Sequence, residues 1–194
     1  MRGLYNFVVK PKGSRYNNTK KIGDKELILN TEIFSHQYVN REAIVISVPK
    51  LICTDIKVGD SVIIHHNVFR RWHDQHGNER NSRSYFKEDQ YFVAIDQIFL
   101  YKKNNEWCSL PDYCFVKPIE SNSIYEDKEK PLVGIVKYTN GKIPVNKNDL
   151  IGFTPNSEYE FVIEKERLYR VLSKFITIKY EHQGKEKEYN PSWL

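Results

Sequence analysis

The chain has 194 residues, 40% of them hydrophobic, and 30 Lys and Arg against 25 Asp and Glu give a formal charge of +5. That suffices for one ordinary domain or two small ones with real cores, which excludes a disordered chain. The cationic surplus is slight and diluted by carboxylates, so nucleic acid is permitted but not indicated.

The N-terminal stretch from Met1 to Val9 is interrupted by Lys10-Pro11 before any apolar run of signal length, and nothing later approaches a membrane span. A soluble, cytoplasmic protein is therefore expected. Phe7-Val8-Val9-Lys10-Pro11 reads as a short strand closed by a proline that cannot donate to a ladder. Lys12 to Asn40 is a polar segment whose first half, Gly13 to Lys21, has the composition of a flexible loop. Its one aliphatic triplet, Leu27-Ile28-Leu29, is either an anchor offered to another protein or a short strand folded back onto its own domain.

Ala43 to Val48 is a β-branched strand ended by Pro49. Lys57-Val58-Gly59-Asp60 is a turn that opens the strand Ser61 to Ile64. A charged stretch, His65 to Asp89, leads to the strands Tyr91 to Ile95 and Ile98 to Tyr101. Little of the chain has a helical period, so the fold class is all-β.

The same order then recurs. Cys114 to Pro118 repeats the Val-Lys-Pro ending, Val133 to Val136 stands where Ala43 to Ile46 stood, and Asn148 to Phe153 answers Gly59 to Ile64. Leu168 to Leu172 and Phe175 to Ile178 answer the last two strands. Four matches in one order predict two copies of one small β-domain, residues 1–103 and 104–194, divided at a polar hinge, Lys102 to Asn105. The second copy replaces the long loop by a shorter one, Glu120 to Lys130, and has no counterpart of the triplet.

The Val-Lys-Pro strand, the loop with its triplet, the Arg41 to Val45 strand and the Lys57 to Ile64 turn and strand together resemble the co-chaperonin family of GroES type, in a tandem double-barrel form. The resemblance implies two GroES-like small β-barrels, with Leu27, Ile28 and Leu29 docking into an apolar groove of a chaperonin apical domain. It also implies a ring or other closed homo-oligomer in which the first strand of one subunit, Phe7, Val8 and Val9, pairs with the last strand of the next, Phe175, Ile176 and Ile178. The chain departs from the family in having Lys25-Glu26 where Gly-Gly usually precedes the tripeptide, and in a tail, Glu181 to Leu194. Only Pro49 to Thr54 stands where a roof hairpin is expected, a lack shared with co-chaperonins of bacterial viruses. A viral origin would place the protein in the host cytoplasm.

Other constellations point less far. His65, His66, His73 and His76 fall near one another, but their spacing matches no standard zinc site, and no metal or other cofactor is expected. Arg70, Arg71, Arg80 and Arg83 with Phe69, Trp72, Tyr85 and Phe86 read as a solvated hairpin, or as a single-stranded nucleic-acid surface. Glu158, Glu160, Glu164 and Glu166 read as a charged edge, and Cys53, Cys108 and Cys114 as buried or inert thiols. No nucleophile setting and no phosphate-binding glycine loop is present, so an enzyme is not expected. The alternatives to a co-chaperonin are a self-associating structural or assembly protein, or an oligonucleotide-binding barrel.

Overall fold

The structure, a computed structural model, describes residues 3–17, 19–28, 36–121, 128–181 and 184–191. The chain is all-β: among the described residues the only helical segments are three single 3-10 turns, His66–Val68, Ile95–Gln97 and Ser173–Phe175. It divides into two compact units, Met1–Glu106 and Trp107–Leu194. The expected hinge is a tight turn instead of a linker. Asn104 and Asn105 both take positive φ, 51° and 67°, which Asn tolerates better than other side chains and which suits a two-residue reversal.

The first unit contains β1 (Phe7–Pro11), β2 (Thr19–Ile22), β3 (Lys25–Ile28), β4 (Glu42–Ser47), β5 (Ser61–Ile64), β6 (Arg71–His73), β7 (Glu79–Asn81), β8 (Tyr85–Lys87), β9 (Gln90–Val93) and β10 (Ile98–Lys103). β11 (Glu106–Ser109) straddles the division. The second unit contains β12 (Tyr113–Glu120), β13 (Glu129–Tyr138), β14 (Leu150–Phe153), β15 (Glu158–Ile163), β16 (Glu166–Leu172) and β17 (Ile176–Tyr180).

The duplication read from the sequence extends to strand order and register. Within the first unit the antiparallel order is β8-β9-β1-β4-β5-β10, and within the second it is β15-β16-β12-β13-β14-β17. Val9, Lys10 and Pro11 face Val45, Ile44 and Ala43, just as Val116, Lys117 and Pro118 face Val136, Ile135 and Gly134. Both ladders shift register at the same place, between Val8 and Val9 and between Phe115 and Val116. Such a bulge bends a strand and tightens its twist, so two copies that share it share a curvature.

The turn before the third sheet strand is also repeated atom for atom. Gly59 at φ 93° donates its N–H to Val45 O at 2.8 Å, while Asp60 Oδ2 accepts from Lys57 N at 2.8 Å. In the second unit Asn148 at φ 73° donates to Val136 O at 2.8 Å, and Asp149 Oδ2 accepts from Asn146 N at 2.6 Å. Asn can stand in for Gly there because its short polar side chain tolerates the left-handed region.

The sheets bear on two expectations. Among the described residues the sheets are not closed, since the end strands of each order do not pair with each other. Closure needs end strands long and tilted enough to meet, and β8 has only three residues, all exposed. In the second unit the end strand β15 turns Glu158 and Glu160 outward, charges that blunt an edge against further pairing.

The second expectation concerns the subunit contact. Phe7, Val8 and Val9 are 0–2% exposed, and their strand lies between β4 and β9 with both edges paired. A neighbour's strand has no edge to join there. β17, by contrast, is an end strand in this order, and Ile178 is 48% exposed on it.

Candidate functional site

The polar segment between β1 and β4 leaves the first sheet and returns to it through a closed root. Tyr16 and Val39 form an isolated bridge, Asn17 N donates to Tyr38 O at 2.7 Å, and Asn40 N donates to Arg15 O at 2.9 Å. The buried Asn40 amide then donates to Lys12 O and Ser14 O, and its Oδ1 accepts from Glu42 N. Each polar atom of that side chain is thus used, as burial demands.

Beyond the root stands a hairpin of its own, β2 against β3, with Lys20 opposite Leu27 and Thr19 opposite Ile28. Part of the segment expected to be a flexible loop is therefore strand. Leu27 is 53% and Ile28 62% exposed, and the register turns them to opposite faces. Among the described residues β3 pairs only with β2, so the triplet's strand is not folded back onto its own sheet. Leu29 lies outside the described residues. The sequence reading missed Ile22, 61% exposed and on the same face as Leu27; it stands alone among charged and polar neighbours and gave no signal.

A second excursion, residues 65–84, buttresses this root. Arg71 N donates to the Tyr16 hydroxyl at 2.8 Å, and the Arg71 guanidinium lies 4.7 Å from the Tyr16 ring centroid. Arg15 donates to Phe69 O at 2.9 Å and to Asn81 Oδ1 at 2.8 Å, with its guanidinium over the Tyr91 ring. Phe69 is fully buried against Tyr91 edge to face. Where the first unit spends residues 65–84, the second passes from β14 to β15 with residues 154–157 alone.

The excursion carries the β6–β7 hairpin, closed by a loop in which Asp74 accepts from the backbone of His76 and Asn78. Trp72 is 46% exposed on it, and on the following strand β8 Tyr85 is 38% and Phe86 36% exposed. The four singled-out histidines do not gather. His73 and His76 belong to the hairpin, while His65 stacks on His66 with centroids 4.4 Å apart, and His36 from the loop's return arm lies 5.4 Å from His66. Burial, then the charges of His65, Arg41, His36 and Arg70, push the His66 imidazole down to about 4. Among the described residues no group of three His, Cys, Asp or Glu is placed to hold a metal ion.

Among the described residues the second unit has no such excursions; its unusual feature is a buried cation. Lys117 is 2% exposed, with Nζ 3.0 Å from Glu188 Oε2 and 3.4 Å from Glu166 Oε1. Glu188 is brought there by the tail, which bridges Ile119 and exchanges backbone bonds through Lys187 O and Tyr189 N. Burial raises the Glu166 carboxyl, but the hydrogen bond from Lys137 and the charge of Lys117 outweigh it and hold it below the usual range. A pocket of about 590 Å³ nearby is lined by Glu129, Leu132, Phe153, Arg167, Tyr169 and Tyr189. Arg167 is committed to Glu129, Glu160 and the Tyr169 hydroxyl, so it is no ready anion site.

The cysteines are free: Cys53 exposed, Cys108 half-buried and Cys114 buried, the last pushed up to about 12 by desolvation. Of the thiols expected to be buried or inert, Cys53 is not buried. No helix among the described residues is long and apolar enough to cross a membrane. No protein-family model matches the chain, and no curated protein matches it either.

Proposed function

We propose that this is a co-chaperonin of GroES type, which binds the apical domains of a GroEL-like chaperonin ring through Leu27, Ile28 and Leu29 and helps to close its folding chamber. One observation carries the reading. Among the described residues of a duplicated β-unit, one copy extends a hairpin from a closed root, and that hairpin presents Leu27 and Ile28 to solvent instead of to its own core.

Burying three aliphatic side chains is worth roughly 5–8 kcal/mol at about 1.5–3 kcal/mol each. An isolated two-stranded hairpin is marginal in water, and ordering it costs about 1–2 kcal/mol per residue fixed. A single hairpin would therefore bind weakly. Several held on one assembly raise one another's effective concentration, so a homo-oligomer belongs to the proposal. The outer edge of β17, with Ile178 and Tyr180 exposed, supports a contact with a neighbouring subunit better than the buried β1 does.

The test is capture by a GroEL-type ring in the presence of ATP, comparing the chain with its Leu27→Ser, Ile28→Ser, Leu29→Ser variant. Capture by the first and loss by the second is the expected result. Equal capture of both, or a stable monomer at working concentration, overturns the reading.

A further inference from the structure

Among the described residues the first unit carries two excursions that the second lacks, and they share one foundation. Arg15 and Tyr16 belong to the root of the β2–β3 hairpin, and both are held by residues of the 65–84 segment through three hydrogen bonds of 2.8–2.9 Å. The β2–β3 and β6–β7 hairpins thus rise from one rigid seat.

On the second hairpin Trp72 is held in an unusual way. Its Nε1 donates to Asn81 O at 3.1 Å, yet the residue is 46% exposed. The indole is fixed in place while nearly half of it faces water. A rigid exposed aromatic loses little conformational freedom when it enters a partner, and that makes Trp a frequent centre of binding energy. The strands beneath it are braced by Arg71 with Glu79 and Arg80 with Asp74, each at 2.9 Å.

Charge narrows the partner. Residues 70–87 hold five Lys and Arg against two carboxylates, and both carboxylates are already paired with arginines inside the hairpin. What remains is Arg70, Arg83 and Lys87, followed directly by Glu88 and Asp89, a surplus of one cation, with Arg83 and Lys87 exposed. An acidic rim around an apolar depression is its complement. Nucleic acid fits less well, because Arg71 and Arg80, which would grip phosphates, are turned to Glu79 and Asp74.

We propose that the β6–β7 hairpin is a second anchor for the same protein partner, with Trp72 entering an apolar depression rimmed by carboxylates while Leu27 and Ile28 engage theirs. The inference rests on the chaperonin reading and adds a site to it.

The experiment measures affinity of the full chain for a GroEL-type ring with ADP, for wild type, Trp72→Ser, Trp72→Phe, Arg83→Glu and the Leu27→Ser/Ile28→Ser variant, with far-UV circular dichroism as the folding control. Trp72→Ser should weaken binding about tenfold or more, Trp72→Phe should retain most of it, and the loss from Arg83→Glu should shrink as salt rises. Wild-type affinity for Trp72→Ser, with binding lost in the Leu27→Ser/Ile28→Ser variant, removes the second anchor and leaves the chaperonin reading standing. No binding by the wild type removes both. Unchanged ring binding by Trp72→Ser, with loss of a single-stranded oligonucleotide instead, assigns the hairpin to nucleic acid and also overturns the proposal.

Discussion

Replacing Glu188 by Ala should destabilise the second unit although the side chain is itself 47% exposed, because its carboxylate is one of two that neutralise Lys117. Removing a partner from a fully buried ion pair costs about 3–5 kcal/mol. Here Glu166 remains, but it is shared with Lys137 at 3.0 Å, so about 1–3 kcal/mol is the discounted expectation. With a urea slope of about 2 kcal/mol per M, the unfolding midpoint followed by circular dichroism should fall by about 0.5–1.5 M. Lys117→Met should cost little, because it removes the charge that needs the carboxylates and leaves Glu166 paired with Lys137. In the Lys117→Met background the cost of Glu188→Ala should largely vanish. If Glu188→Ala costs the same in both backgrounds, charge neutralisation is not what the tail contributes.

Glu166, whose folded carboxyl is depressed, contributes stability that is present above its ordinary value of 4.5 and is lost as pH falls through the depressed one; Lys117→Met should flatten that acid limb of a urea titration. His66, neutral in the fold and lowered to about 4 from 6.5, adds stability above pH 6.5 that is lost as pH falls towards 4. Because the ring is half-buried, solvent screening reduces this to about 1–2 kcal/mol, and His66→Asn should remove the slope across that window. Gly59→Ala should cost about 1 kcal/mol through backbone strain alone, since a Cβ there meets nothing within 4 Å, whereas Asn148→Gly should be close to neutral by the same thermal melt. Cys53 should react with an aromatic disulfide reagent in the native protein at pH 8, and Cys114 only after denaturation.

Local and repeated features were legible in the residues: continuous β-branched runs, a turn residue able to take positive φ at Gly59 and at Asn148, and the recurrence of both in one order. Those features act over a few residues, so they are written where they act. What surrounds them depends on the folded chain. Lys10 and Lys117 follow the same Val and precede the same Pro, yet one is exposed and the other sealed, because a tail more than sixty residues away lays Glu188 over the second. Phe7 to Val9 read as a strand with an edge to offer until β9 takes that edge. The root at Tyr16 is closed by Arg71 from a segment whose composition suggested a solvated hairpin or a nucleic-acid surface. Burial, edge coverage and pairing are properties of what long-range contacts bring together, and a residue's immediate neighbours in the chain do not encode them.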